Sequence, residues 1–195
     1  MQLEGMRIGF ALTGSHCTIE NVLPQMAKLI EHKVEVIPII SDSIRTTNSR
    51  FGTAEEIRKK IIEITNKVPL ETIMEVEPIG PQKLLDLLVI MPCTGNTLAK
   101  LSLGISDSPV TFAYKAHLRN GLPVVIGIST NDALSANAVN LGILLNRKNV
   151  YFVPFGQDNP WQKSCSLAAH PELLLDTICA ALEGRQYQPL ILDWN

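Results

Sequence analysis

Hydroxyl and amide side chains gather in short stretches of this sequence, each placed directly after an apolar run. The first is Thr13-Gly14-Ser15-His16-Cys17-Thr18, which leads into a helical pattern. Glycine lets a ligand approach the backbone, and the free N–H groups of a helix start favour an anion such as a phosphate. His16 can add a hydrogen bond to that anion, and the alternative is a small-residue turn capped by Ser15 or Thr18. The second stretch is Ser41-Asp42-Ser43, where the Ser41 hydroxyl can serve the same phosphate if Asp42 turns away, or the three form a plain polar turn. The richest is Met91-Pro92-Cys93-Thr94-Gly95-Asn96-Thr97-Leu98-Ala99-Lys100-Leu101. Thr94, Asn96 and Thr97 there offer hydroxyl and amide groups to a planar heterocycle and its polyol chain, with Asn96 alternatively capping the next helix. A further cluster, Asn131, Asp132, Ser135 and Asn137, either caps a helix or recognises a carboxylated heterocycle by its amide, hydroxyl and helix-end groups.

Other reactive residues point to less chemistry. Cys93 is expected to pack as a small apolar group, not to act as a nucleophile. Arg45 and Arg50 lie in a long polar segment, 41–52, either solvated or reaching a substrate carboxylate. His117 is expected on a surface or interface helix, His170 near a helix cap, and Lys100 in solvent. No strong general base stands out, so no catalytic residue is assigned. The glycine pattern of a dinucleotide fold is missing, and no acidic residue ends the second apolar run, which disfavours a standard NAD site. The four cysteines, Cys17, Cys93, Cys165 and Cys179, make no CxxC pair and no zinc spacing, so no metal is expected and a reducing, cytoplasmic setting fits best.

These groups need a scaffold, and six aliphatic runs supply it: Arg7–Thr13, Val34–Ile40, Thr72–Val76, Asp86–Met91, Pro123–Ile128 and Val150–Pro154. Continuous apolar runs indicate strands covered on both faces. Helical spacing marks Ile19–His32, a segment behind Thr53 and Glu56 in capping-box form, Ser135–Asn146, and Pro171–Glu183 stopped by Gly184. Alternating strands and helices predict an α/β, doubly wound, three-layer Rossmann-like fold, with a parallel sheet of about six strands. At 195 residues, 46% apolar and 5% aromatic, the chain suits one domain, 1–195, with an aliphatic core. A net charge of −2 with no basic run argues against nucleic acid, and no apolar run approaches the length of a membrane span. The amino-terminal apolar run lacks a basic leader and a cleavage pattern, and reads as a first strand.

The run PCTGNTLAKLSLGISDSPVT resembles the P-A/M-S-A-N-T-x-A-K-x-x-x-G-x-x-D-x-x-x-T signature of the flavoprotein family of homo-oligomeric, flavin-containing cysteine decarboxylases. Thr13-Gly14-Ser15 and Ser41 match that family's first loop and its hydroxyl residue after the second strand. The resemblance implies an FMN site, with Gly14, Ser15 and Ser41 on the phosphate. Pro92, Cys93, Thr94, Asn96 and Thr97 would line the isoalloxazine and ribityl chain. Asp107 would order its loop or reach a neighbouring subunit, in a trimer or higher assembly. Two departures stand out. No histidine lies between His32 and His117, where decarboxylase members place one before the fourth strand, and the family's P-x-M-N motif appears as Ile128-Ser129-Thr130-Asn131-Asp132. Together with GFALTGSHCTI and the STNDALSANAVNLGILLNRKNVYFVPFGQDNP tail, they imply a member with a different substrate. That substrate would be a small dicarboxylated heterocycle held near Asn131 and Asp132, handled with a separate dehydrogenase-like partner.

Overall fold

The computed structural model describes residues 3–193. Five parallel strands form its centre: β1 (Arg7–Leu12), β2 (Glu35–Ile40), β3 (Leu87–Cys93), β4 (Val124–Thr130) and β5 (Val150–Phe152). They lie in the order β2-β1-β3-β4-β5. Two short strands, β6 (Phe155–Gly156) and β7 (Leu167–Ala169), extend the sheet antiparallel from the end of β4. The doubly wound α/β fold expected from the sequence is therefore present, with seven strands in a mostly parallel sheet.

Alternation along the strands explains the three layers. In β3, Leu87, Val89 and Met91 face one side, with α1 (Ile19–Glu31), α3 (Ala54–Thr65) and α8 (Leu174–Leu182). Leu88 and Ile90 face the other, with α5 (Gly95–Leu103), α6 (Pro109–Leu118) and α7 (Ala138–Leu145). Every residue of β3 is buried, as a strand sandwiched between helices requires. The apolar stripe read in α1 is the buried face, formed by Ile19, Val22, Leu23, Met26 and Leu29.

Two local expectations are corrected. Thr72–Val76 is not a strand: Thr72 caps the single helical turn α4 (Ile73–Val76), with its hydroxyl on the Glu75 N–H and Glu75 reaching back to the Thr72 N–H at 2.8 Å. A reciprocal cap satisfies free donors at once and outweighs the strand preference of a five-residue run. Segment 41–52 is not all loop, because Ser41 caps the short helix α2 (Asp42–Thr46), accepting from the Ile44 N–H at 3.4 Å.

The strand order reverses direction between β1 and β3, since β1 is followed by β2 on one side and β3 starts the run on the other. At such a switch point the loops leaving the two strands diverge and open a crevice beyond their carboxyl ends. Among the described residues no helix is long and apolar enough to cross a membrane.

Candidate functional site

Proline shapes the crevice first. Pro92 has no N–H to give the β3–β4 ladder, so pairing jumps from Ile90↔Ile126 to Cys93↔Ile128. Its carbonyl turns to β1 instead, accepting from the Thr13 hydroxyl at 2.7 Å and the Thr13 N–H at 3.2 Å. The same hydroxyl accepts from the Thr94 N–H at 3.0 Å. Thr13 thus clasps the two strand ends on either side of the switch point, and it is buried.

A polar cleft of about 330 Å³ lies over this clasp, lined by Gly14, Ser41, Ser43, Thr94, Asn96 and Lys100 among others. Thr94, not Asn96, caps α5, accepting from the Thr97 N–H at 3.4 Å and donating to the Thr97 hydroxyl at 3.1 Å. That leaves the Asn96 amide without a hydrogen-bond partner among the described residues, exposed at the cleft. Charge in the cleft is balanced locally. Asp42 pairs with Arg45 at 2.7 Å, and Lys100 holds both Asp107 oxygens at 2.9 Å. The Lys100 hydrogen bond holds the Asp107 carboxyl below the usual carboxylate range. Lys100 and Asp107 are therefore paired across the 104–108 loop, and Arg45 is engaged at the cleft rim. Arg50 lies over the Phe51 ring, 4.8 Å from its centroid.

Gly14 sets the shape of one wall. A Cβ there would stand 2.9 Å from the Ser43 Cβ and overlap the Ser43 hydroxyl oxygen. His16 lies behind it, with Nε2 3.9 Å from the same point, and both of its ring nitrogens are buried without a hydrogen-bond partner among the described residues. Backbone access at Gly14, several hydroxyls and one lysine fit a phosphorylated ligand, with the Asp42 carboxylate taken up by Arg45.

Ser15 stands at the border of a second cleft, its hydroxyl 2.9 Å from that of Ser129. This apolar cleft, about 290 Å³, is walled by Val22, Met91, Pro92, Ile128, Ala168 and Ala169, with Cys17, Thr18, Asn21, Ser129 and Asp158 as its polar groups. No sequence pattern assigned a binding role to Ser129, Asp158 or the two alanines. They meet only because β7 pairs with the end of β4, Ser129 opposite Ala168. A larger hollow of about 370 Å³ lies near Leu3, Lys33 and Cys179, at the other end of the strands, away from these polar loops.

The expected site residues therefore divide. Gly14, Ser41, Thr94, Asn96 and Thr97 line the polar cleft, and Pro92 lines the apolar one. Cys93 is wholly buried in the core, where desolvation pushes its thiol far up from the ordinary range. Asn131 and Asp132 line neither cleft. The Asp132 carboxylate accepts from the Thr130 hydroxyl at 2.5 Å and the Asn137 amide at 2.8 Å. Its carbonyl accepts from the Ser135 and Asn137 N–H groups, so the residue ties the turn that enters α7. Asn131 is exposed and accepts from the Ser166 hydroxyl at 3.5 Å. His117 is no surface residue, contrary to expectation: it is fully buried, because α6 turns this side toward the sheet and Nε2 meets the Pro123 carbonyl at 3.1 Å. His170 precedes the last helical segment, its Nδ1 3.1 Å from Glu172. Among the described residues no cluster of three or more acidic, histidine or cysteine side chains is placed to hold a metal.

A doubly wound sheet with a hydroxyl-lined crevice at the β1/β3 switch defines a class of nucleotide-type binding folds, and the Flavoprotein family profile matches residues 1–155; the chain belongs to that family. It is 48% identical over 191 residues to the B subunit of dipicolinate synthase from Bacillus subtilis (strain 168), covering 98% of this chain and 96% of that one. The crystal structure of the corresponding B subunit from Bacillus halodurans superposes with a TM-score of 0.92 at 48% identity, covering 100% of both chains. The FMN-dependent cysteine decarboxylase SpaF shares the fold, with a TM-score of 0.66 at 21% identity over 93% of this chain and 97% of that one. The residues that close the apolar cleft, Asp158 to Pro171, lie beyond the family match but within the span shared with the Bacillus halodurans structure.

Proposed function

We propose that this chain is the flavin-binding subunit of a dipicolinate synthase. It acts with a separate, dehydrogenase-like A subunit to oxidise a dihydrodipicolinate-type precursor to pyridine-2,6-dicarboxylate. The setting is the cytoplasm of the mother cell in a sporulating bacterium. The observation that carries this reading is the likeness to the Bacillus subtilis protein along nearly the whole chain, 98% of it, and not only along the part common to the family.

FMN, when bound, supplies the acceptor for the two electrons that leave the ring as it becomes aromatic. The chain's own groups bind and orient. Gly14, Ser15 and Ser41 would hold the phosphate, with Lys100 as a cation lining the same cleft. Thr94, Asn96 and Thr97 would meet the ribityl chain and heterocycle. The free Asn96 amide is the group best able to fix the ring edge, since Thr94 and Thr97 already bond to each other. Pro92 would pack on the ring, and Cys93 would support that wall from inside the core. Asn131 and Asp132 lie on the loop leaving β4 and would order the substrate side. Once the apolar cleft is filled, its aliphatic walls would exclude water, which raises the worth of each hydrogen bond inside it. A homo-oligomer, trimer or higher, is part of the same proposal.

Purification alone and with the A subunit, followed by an absorbance scan, tests the reading. A yellow protein whose pathway activity falls with Asn96→Ala supports it. Absence of flavin in both preparations, with activity intact in that variant, would sink it. Decarboxylation of a cysteine-terminated peptide by the isolated chain would replace it with the independent decarboxylase reading.

A further inference from the structure

A glycine inside a helix lowers its stability, so a helical glycine ordinarily has a reason in the chain around it. Of the twelve glycines, every one but Gly142 adopts a left-handed φ or stands where an added Cβ would lie under 3.0 Å from another atom. Gly142 lies within α7, in helical backbone, and a Cβ there would meet nothing within 4 Å. Nothing in this chain requires that residue to lack a side chain.

The face that carries it is apolar and uncovered. From Ala133 to Asn146 no residue bears a charge. Leu134, Val139, Ile143 and Leu145 are between 40% and 63% exposed. Leu103 and Ile105, 68% and 42% exposed, continue this surface from the end of α5. The two helices adjoin there. The Ser102 hydroxyl donates to the Asn140 side-chain oxygen at 2.6 Å, and Arg147 donates to the Leu101 and Ser102 carbonyls at 3.3 and 3.2 Å. The amides of α7 and its cap are consumed internally, since Asn140 donates to Asn137 at 2.9 Å and Asn137 to Asp132 at 2.8 Å. What α7 turns outward is aliphatic.

Size and charge indicate what covers it. Six roughly half-exposed aliphatic side chains offer on the order of 500 Å² of apolar surface, the upper range for a monomer. That is close to the apolar share, about 60%, of the ~800 Å² that one partner brings to a specific interface. A surface without charge meets its own copy with no like-charge repulsion, and a two-fold axis sets the same patch against itself. Ala138 and Gly142, one turn apart and both exposed, let a second helix approach closely at that point. We propose that this face is a two-fold contact between copies of the chain, with α7 crossing its counterpart at Gly142. The contact rests on the homo-oligomer reading above and adds where, and by what symmetry, two copies meet.

Sedimentation equilibrium over a range of concentrations tests it, on the unmodified chain, Gly142→Leu and Ile143→Lys. The unmodified chain should contain an even number of copies. Both variants should fall to about half that mass or less, or need at least a roughly ten-fold higher concentration to reach it. Gly142→Leu exchanges a poor helix former for a good one at a position open to solvent, so its loss of assembly should come with full helical circular dichroism. An odd number of copies, or an even assembly that both variants preserve, overturns this contact and leaves the homo-oligomer standing. A monomeric unmodified chain overturns both. Loss of A-subunit binding in Ile143→Lys with self-association untouched gives the face to that partner and overturns the proposal.

Discussion

The imidazole of His117 lies wholly inside the molecule, and burial lowers its pKa from 6.5 to about 4 despite the hydrogen bond to Pro123. The folded state therefore refuses a proton that the unfolded chain accepts. Above pH 6.5 both states are neutral and the residue adds no pH dependence. As pH falls from 6.5 toward about 4, stability is lost, to a limit of roughly 3 kcal/mol for a shift of this size. Urea midpoints at pH 7, 6 and 5 should fall more steeply for the unmodified protein than for His117→Met, and equal slopes would contradict this. At Gly14 the physics is steric. Gly14→Ala places a methyl group against Ser43, which lines the same cleft. The side chain must move into the cleft, so flavin retention should drop at least ten-fold, on the order of 1.4 kcal/mol or more, while the melting point changes little. Retention equal to the unmodified protein would show that this wall does not touch the ligand.

Helix caps carried much of the element-level information. Thr53 and Glu56 were legible as a capping box, and α3 begins there with both halves formed. Thr72 and Glu75 have the same spacing and form the same box, yet five residues of mixed apolar character before a strand-like region read as a strand. Too few residues follow for a helical period to show. Thr72→Ala should cost about 1 kcal/mol and lower the melting point by a few degrees. No change would mean that α4 is held by packing of Val76 alone. The α5 cap, which the sequence left open to Asn96 as the alternative to ligand binding, falls on Thr94. Thr94 and Asn96 both suit the position, and only the backbone exit from the β3 irregularity at Pro92 selects Thr94.

At the scale of the whole molecule, the two apolar clusters lie on opposite faces of one sheet and share β1, β2, β3 and β4. Neither layer of helices can lose its packing without exposing the strands that the other covers. We infer that the chain unfolds as one cooperative unit, in keeping with the single domain expected for 1–195. Calorimetry should show one transition whose calorimetric and van't Hoff enthalpies agree, and two separable transitions would refute it. Substitution of Ile126 by alanine, in β4 at the centre of the sheet, should lower that single transition by about 2–5 kcal/mol and not split it.

The sequence by itself determined the layers, because hydrophobic period and helix-end residues are local properties that record which face of an element is apolar. It also named the loops that border the two clefts, Thr13–Thr18, Ser41–Ser43 and the run from Pro92 to Thr97, since each directly follows a strand-like run. Only the tertiary structure decided which strand ends adjoin, and so which loops share a cleft. Period says that a face must be covered, not by what. That is why Ser129, Asp158 and Ala168 assemble a second cleft unannounced, through the pairing of β7 with the end of β4. For the same reason His117 is a buried neutral imidazole, and the ring nitrogens of His16 stand without an acceptor behind Gly14.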